Sequence, residues 1–103
     1  MKNKANSISI FHITGKLTNP NNNYEMSECL IPIIYGTVTR AWFGYSDIQI
    51  GKAGGGGYDK ESTALAEAIV KLTGDKDLYD MGSGWQSVAR RAEKKGYKVE
   101  KIW

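Results

Sequence analysis

The sequence predicts an α+β domain, in which an antiparallel sheet of about four strands carries two helices on one face. β-branched and aromatic residues are concentrated in the first half of the chain and at its C-terminal end, as is typical of strands. Between them, two segments have apolar residues at helical spacing, and each is followed by a glycine. The resulting order β-β-β-α-α-β keeps the helices together after the strands, which favours an antiparallel sheet over a parallel one.

The first predicted strand is Ser7–Leu17, and residues 18–23 after it have the composition of a turn or loop. Alternation gives the strand two faces, with Ile8, Ile10 and His12 on one face and Phe11, Ile13 and Leu17 on the other. Because both faces carry apolar residues, we expect this strand to lie inside the sheet.

Leu30–Phe43 reads as a second β region, followed by a turn and a return strand, Ile48–Lys52, which together form a hairpin. Pro32 cannot donate a ladder hydrogen bond, which predicts a position at a strand start or a sheet edge. Gly36 is expected to mark a bulge.

The first helix is predicted to begin after Asp59, a good N-cap residue, and to end at Gly74. Glu61 in its first turn complements the helix dipole. The apolar stripe of this helix consists of Ala64, Leu65, Ala68, Ile69 and Leu72.

The second helix carries a candidate capping box, formed by Ser83 and Gln86, and ends at Gly96. Tyr97–Trp103 is predicted to be the last strand. The apolar stripe of the second helix consists of Trp85, Val88, Ala89 and Ala92.

Length and composition predict one domain over residues 1–103, with residues 1–6 flexible.

The single cysteine, Cys29, allows no internal disulfide, which suits a reducing compartment. No stretch approaches the roughly 18 apolar residues of a membrane span. We therefore expect a cytoplasmic protein with no membrane partner.

The net charge of +3 is unevenly distributed, since residues 90–103 carry six basic and two acidic side chains. Such a stripe is typical of a polyanion-binding surface, although cations near a helix C-terminus also complement the helix dipole from a solvated face. The candidate polyanion-binding residues, called here the basic cluster, are Arg90, Arg91, Lys94, Lys95 and Lys98.

Four consecutive glycines precede the first helix and are called here the glycine loop: Gly54, Gly55, Gly56 and Gly57. A glycine loop before a helix N-terminus can hold an anion, and it is equally what a tight strand-to-helix crossover needs. Tyr58-Asp59 follows the loop, so the Gly-Lys-Ser/Thr ending of a P-loop is missing, and the third glycine of a dinucleotide-binding motif is missing too. Both interpretations of the loop stay open.

Large aromatic residues surround the predicted hairpin, on both faces of a strand and at its turn. At least one ring should be exposed, and exposed aromatic rings are typical of protein interfaces and of base-stacking platforms. The candidate binding patch, called here the aromatic patch, consists of Trp42, Tyr45, Tyr58 and Lys60.

Residues that could carry catalysis or hold a metal ion are sparse. His12 is the only histidine, and nothing in the sequence pairs it with Cys29 as a nucleophilic dyad. Asp75, Asp77 and Asp80 depart from the spacing of a calcium-binding loop and are expected to act as helix caps. We expect no enzyme activity, no catalytic residues, no metal and no cofactor.

Residues 37–72, a hairpin followed by glycines and an alanine-rich helix, resemble the C-terminal half of a double-stranded RNA-binding domain. That family has glycine-x-glycine, then lysines, then alanines on the buried helix face. The residues that match these positions here are Gly55, Gly57, Lys60, Ala64, Ala66 and Ala68. The resemblance implies binding to nucleic acid.

The GGGGYDKES segment with its alanine-rich helix also resembles small accessory proteins of phages and mobile elements, which include anti-CRISPR and other anti-defence inhibitors. This resemblance implies a non-enzymatic protein of the host bacterial cytoplasm that inhibits or modulates host machinery by binding a protein or nucleoprotein surface. The alternative is a nucleic-acid-binding module that uses the basic cluster and the glycine loop, and a small-ligand sink at the glycine loop ranks third. A monomer and a homodimer are both compatible with the sequence.

Overall fold

Five strands form one antiparallel sheet in the order β4-β3-β2-β1-β5. The computed structural model describes residues 8–54, 59–79 and 84–103. The predictions for residues 1–6, Gly55, Gly56, Gly57, Tyr58, Asp80 and Ser83 fall outside these ranges. The elements are β1 (Ile8–Thr18), β2 (Glu25–Ile34), β3 (Thr37–Phe43), β4 (Ser46–Gly54), α1 (Lys60–Thr73), a short 3-10 helix (Lys76–Leu78), α2 (Trp85–Glu93) and β5 (Lys98–Lys101).

The predicted α+β class with an antiparallel sheet and two helices is confirmed, with five strands in place of about four. The difference arises because the β region predicted over Leu30–Phe43 is divided by a turn at Tyr35 and Gly36. Their φ angles are 51° and 75°, and positive φ at both positions is what a two-residue type I′ hairpin requires. Gly36 therefore lies in a turn, and its prediction as a bulge is wrong.

Pro32 lies within β2, an interior strand, so its predicted place at a strand start or a sheet edge is wrong. The pairing of β2 with β3 shifts register between Leu30 and Ile34. This irregularity spans Pro32 and leaves room in the ladder for a residue that has no N–H to donate.

The hydrophobic core lies between one face of the sheet and the two helices. β1 is interior, as predicted, because it pairs with both β2 and β5. Trp85 of α2 packs edge-on against Phe11 of β1, with ring centroids 5.6 Å apart. The largest fully buried side chains are Phe11, Ile13, Leu17, Ile31, Ile33, Ile48, Leu65, Ile69, Leu72, Leu78, Val38 and Val88.

The predicted ends of α1 are confirmed. The Asp59 side chain accepts a hydrogen bond from the N–H of Ser62, and Gly74 has a left-handed φ of 75° with its N–H donated to the carbonyl of Val70. α2 begins differently, because its N-cap is Gly84, which has no side chain to cap the helix. Within the described ranges, neither helix has the length and apolar character that crossing a membrane requires.

The outer edge of β4 is partly covered by the loop that joins β1 to β2. The Asn21 amide nitrogen donates to the carbonyl of Gln49, and the N–H of Gln49 donates to Asn21 Oδ1, both over 2.9 Å. The Asn21 side chain therefore occupies backbone groups of β4 that another chain could otherwise pair with.

Candidate binding face of the sheet

The helices cover one face of the sheet, and the opposite face carries a separate set of side chains, called here the open face. Strand alternation and the cross-strand pairs place these residues together. The open face includes Ile8, Ile10, His12, Glu28, Leu30, Pro32, Ile34, Arg40, Trp42, Asp47, Lys98, Glu100 and Ile102.

One row of side chains crosses all five strands at the middle of the open face. Successive pairs join Glu100 to His12, His12 to Leu30, Leu30 to Trp42, and Trp42 to Asp47. In this central row, a leucine lies between an exposed indole ring and an imidazole. A carboxylate stands at each end of the row, at the two margins of the sheet.

One half of the open face is apolar. Ile8 pairs with Ile34, and Ile10 pairs with Pro32 across β1 and β2. Ile102 joins them, because its N–H donates to the carbonyl of Ile10 over 2.9 Å. Ile34 and Ile102 are 50% and 53% exposed, so this half presents branched aliphatic side chains to solvent.

The other half of the open face holds paired charges. His12 Nε2 lies 2.7 Å from Glu28 Oε1, and His12 Nδ1 lies 3.9 Å from Glu100 Oε1. Lys98 Nζ lies 3.5 Å from Glu100. At the far margin, Arg40 Nη1 lies 3.0 Å from Asp47, so the charges of the face are mixed and close to balance.

Two cavities open on this face, and Trp42 lines both of them. The first has a volume of about 220 Å³, and its lining residues are His12, Glu28, Cys29, Leu30, Trp42, Phe43 and Gly44. The second, of about 430 Å³, lies over β2 and β3 and is lined mainly by Pro32, Ile34, Thr37, Thr39 and Arg40 beside Trp42. Trp42 therefore borders both a partly charged cavity and a more apolar one.

The members of the predicted aromatic patch do not all come together. Trp42 lies on the open face, and Tyr45 is fully exposed in the turn that follows β3. Lys60 lies at the start of α1, where its side-chain stem contacts Gly36 at the opposite end of β3. Tyr58 lies outside the described residues, so the described part of this patch is the pair of Trp42 and Tyr45.

The basic cluster extends from α2 through the turn that follows it to β5, and ion pairs occupy part of it. Lys95 Nζ lies 3.2 Å from Asp75 and 3.4 Å from Asp77. The N–H of Asp77 and the Lys95 ammonium lower the pKa of Asp75, and hydrogen bonding to Asp75 raises the pKa of Lys95. Arg91 donates to the carbonyl of Asp77 over 3.3 Å.

The remaining members of the basic cluster point in different directions. Lys98 lies on the open face beside Glu100, away from α2. Arg90 and Lys94 are exposed, and the structure gives them no ion pair within the described residues. They line a cavity of about 390 Å³ together with Asp77, Ser87, Arg91 and Lys95.

Gly54 has a structural role that does not need a ligand. Its N–H donates to Glu67 Oε1 of α1 over 2.7 Å. A Cβ atom on Gly54 would lie 2.4 Å from the carbonyl oxygen of Gly36, and φ is 105°. This first residue of the glycine loop therefore permits a close strand-to-helix crossover, while Gly55, Gly56 and Gly57 lie outside the described residues.

Cys29 is buried in the core, and burial raises its pKa to about 11. A protonated, buried thiol is a poor nucleophile at neutral pH. Within the described ranges, no group of three or more His, Cys, Asp or Glu side chains is arranged to hold a metal ion.

Sequence reasoning did not identify the open face as a site. The sequence pattern that indicates this face is in β1, where Ile8, Ile10 and His12 alternate with the buried side chains and form a second, largely apolar face. We interpreted two apolar faces as a sign of an interior strand, which is correct, but the helices cover only one of them.

Comparisons with protein-family models, with curated proteins and with solved structures found no match to this chain. The resemblances to phage accessory proteins and to a double-stranded RNA-binding domain therefore stay predictions.

Proposed function

We propose that this chain is a non-enzymatic binding protein whose open face docks against a partner protein. The observation that carries the proposal is the apolar half of the open face, where Ile8, Ile34 and Ile102 are exposed on the same side of the sheet as Trp42. Contiguous apolar surface with a polar rim is typical of protein interaction sites. Tryptophan is also enriched among the residues that dominate binding energy.

The charges of the open face favour a protein over a nucleic acid as the partner. Three carboxylates, Glu28, Asp47 and Glu100, lie among two basic side chains, Arg40 and Lys98. Surfaces that bind nucleic acid need an excess of cations to neutralise phosphates. An apolar face with balanced charges fits a protein surface better.

The biological setting that we propose is inhibition or modulation of host defence machinery by a phage or mobile-element accessory protein. Its support is the resemblance of the glycine-rich segment and the following helix to such proteins. A docking surface without catalysis is sufficient for this role, because occupying a partner's surface blocks what that surface does.

The second candidate function is nucleic-acid binding through α2. The exposed side chains of Arg90 and Lys94, one helical turn apart, favour it. The neighbouring ion pairs of Lys95 reduce the positive charge that this side of the molecule could offer to phosphates.

The proposal is tested by capture from a bacterial lysate with matched variants, followed by binding measurements with the purified partner. Trp42→Ala and Ile34→Asp should abolish the capture of a partner that the unchanged chain retains. Tyr79→Ala is the matched control, because Tyr79 is 40% exposed and Trp42 is 41% exposed, yet Tyr79 lies outside the sheet. Equal loss with Tyr79→Ala, or no loss with Trp42→Ala, would contradict the proposal.

Sedimentation velocity of the purified chain tests whether the open face binds a second copy instead. We expect a monomer at micromolar concentration. A dimer that Ile34→Asp dissociates would show that the occupant of the face is another copy of this chain, and it would overturn the proposal of a different partner protein.

A further inference from the structure

The cavity of about 220 Å³ beside Trp42 combines an aromatic ring, a carboxylate and an imidazole in a space smaller than most small-molecule sites. We infer that this cavity receives an arginine side chain of the partner protein. The inference rests on the proposed protein-binding function of the open face.

The cross-strand pairs define how the cavity is built. Leu30 lies between His12 and Trp42 in the central row, so it forms the floor between an imidazole and an indole. Glu28 lies two residues from Leu30 on the same face of β2. A planar cation placed over Leu30 would meet the indole on one side and a carboxylate at one end.

Glu28 differs from the other two carboxylates of the open face. Asp47 is paired with Arg40, and Glu100 is paired with Lys98. Within the described residues, the partner of Glu28 is the imidazole of His12, and its side chain is 54% exposed. Glu28 is therefore the open-face carboxylate that a cation from outside can reach without displacing a lysine or an arginine.

The chemistry of the lining favours arginine over lysine. A guanidinium is planar, stacks on aromatic faces and can donate two parallel hydrogen bonds to one carboxylate. It is also more weakly hydrated than an ammonium, so its transfer into a partly apolar cavity costs less. Trp42 offers the stacking surface and Glu28 offers the carboxylate.

The size of the cavity favours one side chain over a free small molecule. Sites for drug-sized ligands typically have roughly 300–1,000 Å³, whereas this cavity has about 220 Å³. The second, more apolar cavity also borders Trp42. A protein segment in which arginine adjoins an aliphatic residue would fill both.

The experiment is a titration of isotope-labelled protein, followed by NMR, with N-acetyl-arginine amide and with N-acetyl-citrulline amide, its uncharged isostere. We expect saturable shifts of the Trp42 indole N–H and of the Leu30 and Gly44 amides with the arginine compound. The citrulline compound should shift these signals at least tenfold less at the same concentration.

Matched variants test the carboxylate. Glu28→Gln should abolish the arginine-dependent shifts, whereas Glu93→Gln should leave them unchanged, because Glu93 is an exposed carboxylate on α2. The dispersion of each variant's amide spectrum reports whether it is folded. A folded Glu28→Gln variant that binds arginine as tightly as the unchanged protein would overturn the inference.

Short peptides test the proposed source of the arginine. A heptapeptide with one arginine between leucines should bind at least tenfold more tightly than the free arginine compound, and its lysine and citrulline counterparts should bind more weakly. Equal affinity of the lysine peptide would overturn the assignment to arginine, and equal affinity of free arginine would overturn the assignment to a protein segment.

The inference and the proposed function can fail separately. If no arginine compound binds while capture of a partner still depends on Trp42, the inference is wrong and the proposed function stands. If arginine binds at Glu28 while no protein is captured through Trp42, the cavity is not part of a protein interface. That outcome overturns both the protein source of the arginine and the proposed function.

Discussion

Asp59 shows how one side chain determines where a helix begins. Its carboxylate accepts from the N–H of Ser62 over 3.2 Å, and the Ser62 hydroxyl donates back to the Asp59 carbonyl. The first of these bonds satisfies the Ser62 N–H, one of the backbone donors that the first turn of a helix leaves without partners. The same residue was identifiable in the sequence, because aspartate before an apolar helical stripe is typical of an N-cap.

Replacing Asp59 by alanine should lower the free energy of unfolding by about 1 kcal/mol, the usual cost of a lost N-cap. Urea denaturation followed by circular dichroism measures the change. Asp59→Asn is the control, since asparagine also caps helices and should retain most of the stability. A loss of similar size in Asp59→Asn would indicate that the negative charge matters and the cap does not.

Burial of Cys29 should lower the free energy of unfolding at alkaline pH. Its pKa is raised from 9.0 to about 11 in the folded protein by burial. The unfolded chain therefore releases this proton first, and the folded state binds more protons between these values. Linkage then requires stability to be complete below pH 9 and to decrease as pH rises towards 11.

The Cys29→Ala variant should lack this part of the alkaline loss, although its stability at neutral pH should be lower because a buried side chain is shortened. Urea midpoints of both proteins, measured under reducing conditions at pH 8 and at about pH 10.5, test the difference. Lys95, whose pKa is also raised, contributes equally to both proteins. Parallel loss in the two proteins would contradict the role of Cys29.

At the scale of elements, the ends of α1 are easier to predict than the strand boundaries. α1 has both of its ends encoded locally, by Asp59 and Gly74. The turn between β2 and β3 has no such local code, because it places Tyr35 at positive φ, which is uncommon for residues other than glycine. The pairing of the flanking strands determines this turn, and no local sequence pattern predicts that pairing.

Asn21 illustrates how a loop protects a sheet edge, and its replacement should affect both stability and association. Asn21→Ala removes two hydrogen bonds to Gln49, which should lower the free energy of unfolding by about 1 kcal/mol, because these groups are exposed and water replaces part of the interaction. The freed β4 edge should also increase self-association.

Urea denaturation and concentration-dependent light scattering measure these two effects. Asn21→Asp is the graded control, because it keeps the acceptor for the Gln49 N–H and loses the donor. An Asn21→Ala variant that stays monomeric and as stable as the unchanged protein would show that the loop does not protect this edge.

At the scale of the whole molecule, the two candidate surfaces lie on different sides. The open face carries Trp42 and exposed aliphatic residues, whereas Arg90 lies on α2 and Lys94 at its C-cap, across the core. The sequence identified members of both surfaces but could not assemble the open face, since that face depends on strand order and register. His12, Glu28 and Glu100 come from three strands, and their separation in sequence exceeds any local motif.

Because the two surfaces lie on different sides, binding through each surface should respond differently to salt and to substitution. Binding of double-stranded RNA through Arg90 and Lys94 would neutralise about two phosphates. A plot of the logarithm of the binding constant against the logarithm of the salt concentration should therefore have a slope of about −1.8. We expect this binding to be weak and lost near physiological salt. Fluorescence anisotropy should show that Arg90→Glu with Lys94→Glu abolishes it and Trp42→Ala does not.

Tight RNA binding at physiological salt that is insensitive to Trp42→Ala would favour α2 as the functional surface. Binding that Trp42→Ala abolishes would instead indicate base stacking on the open face, which the mixed charges of that face argue against.

The central claim is that the open face binds a partner protein, and the most direct measurement is the dissociation constant of the captured partner by isothermal titration calorimetry. The account predicts that Trp42→Ala weakens binding at least tenfold, about 1.4 kcal/mol. The double variant Arg90→Glu with Lys94→Glu should change affinity less than threefold. The opposite pattern, an unchanged constant with Trp42→Ala and a large loss with the double variant, would contradict the account.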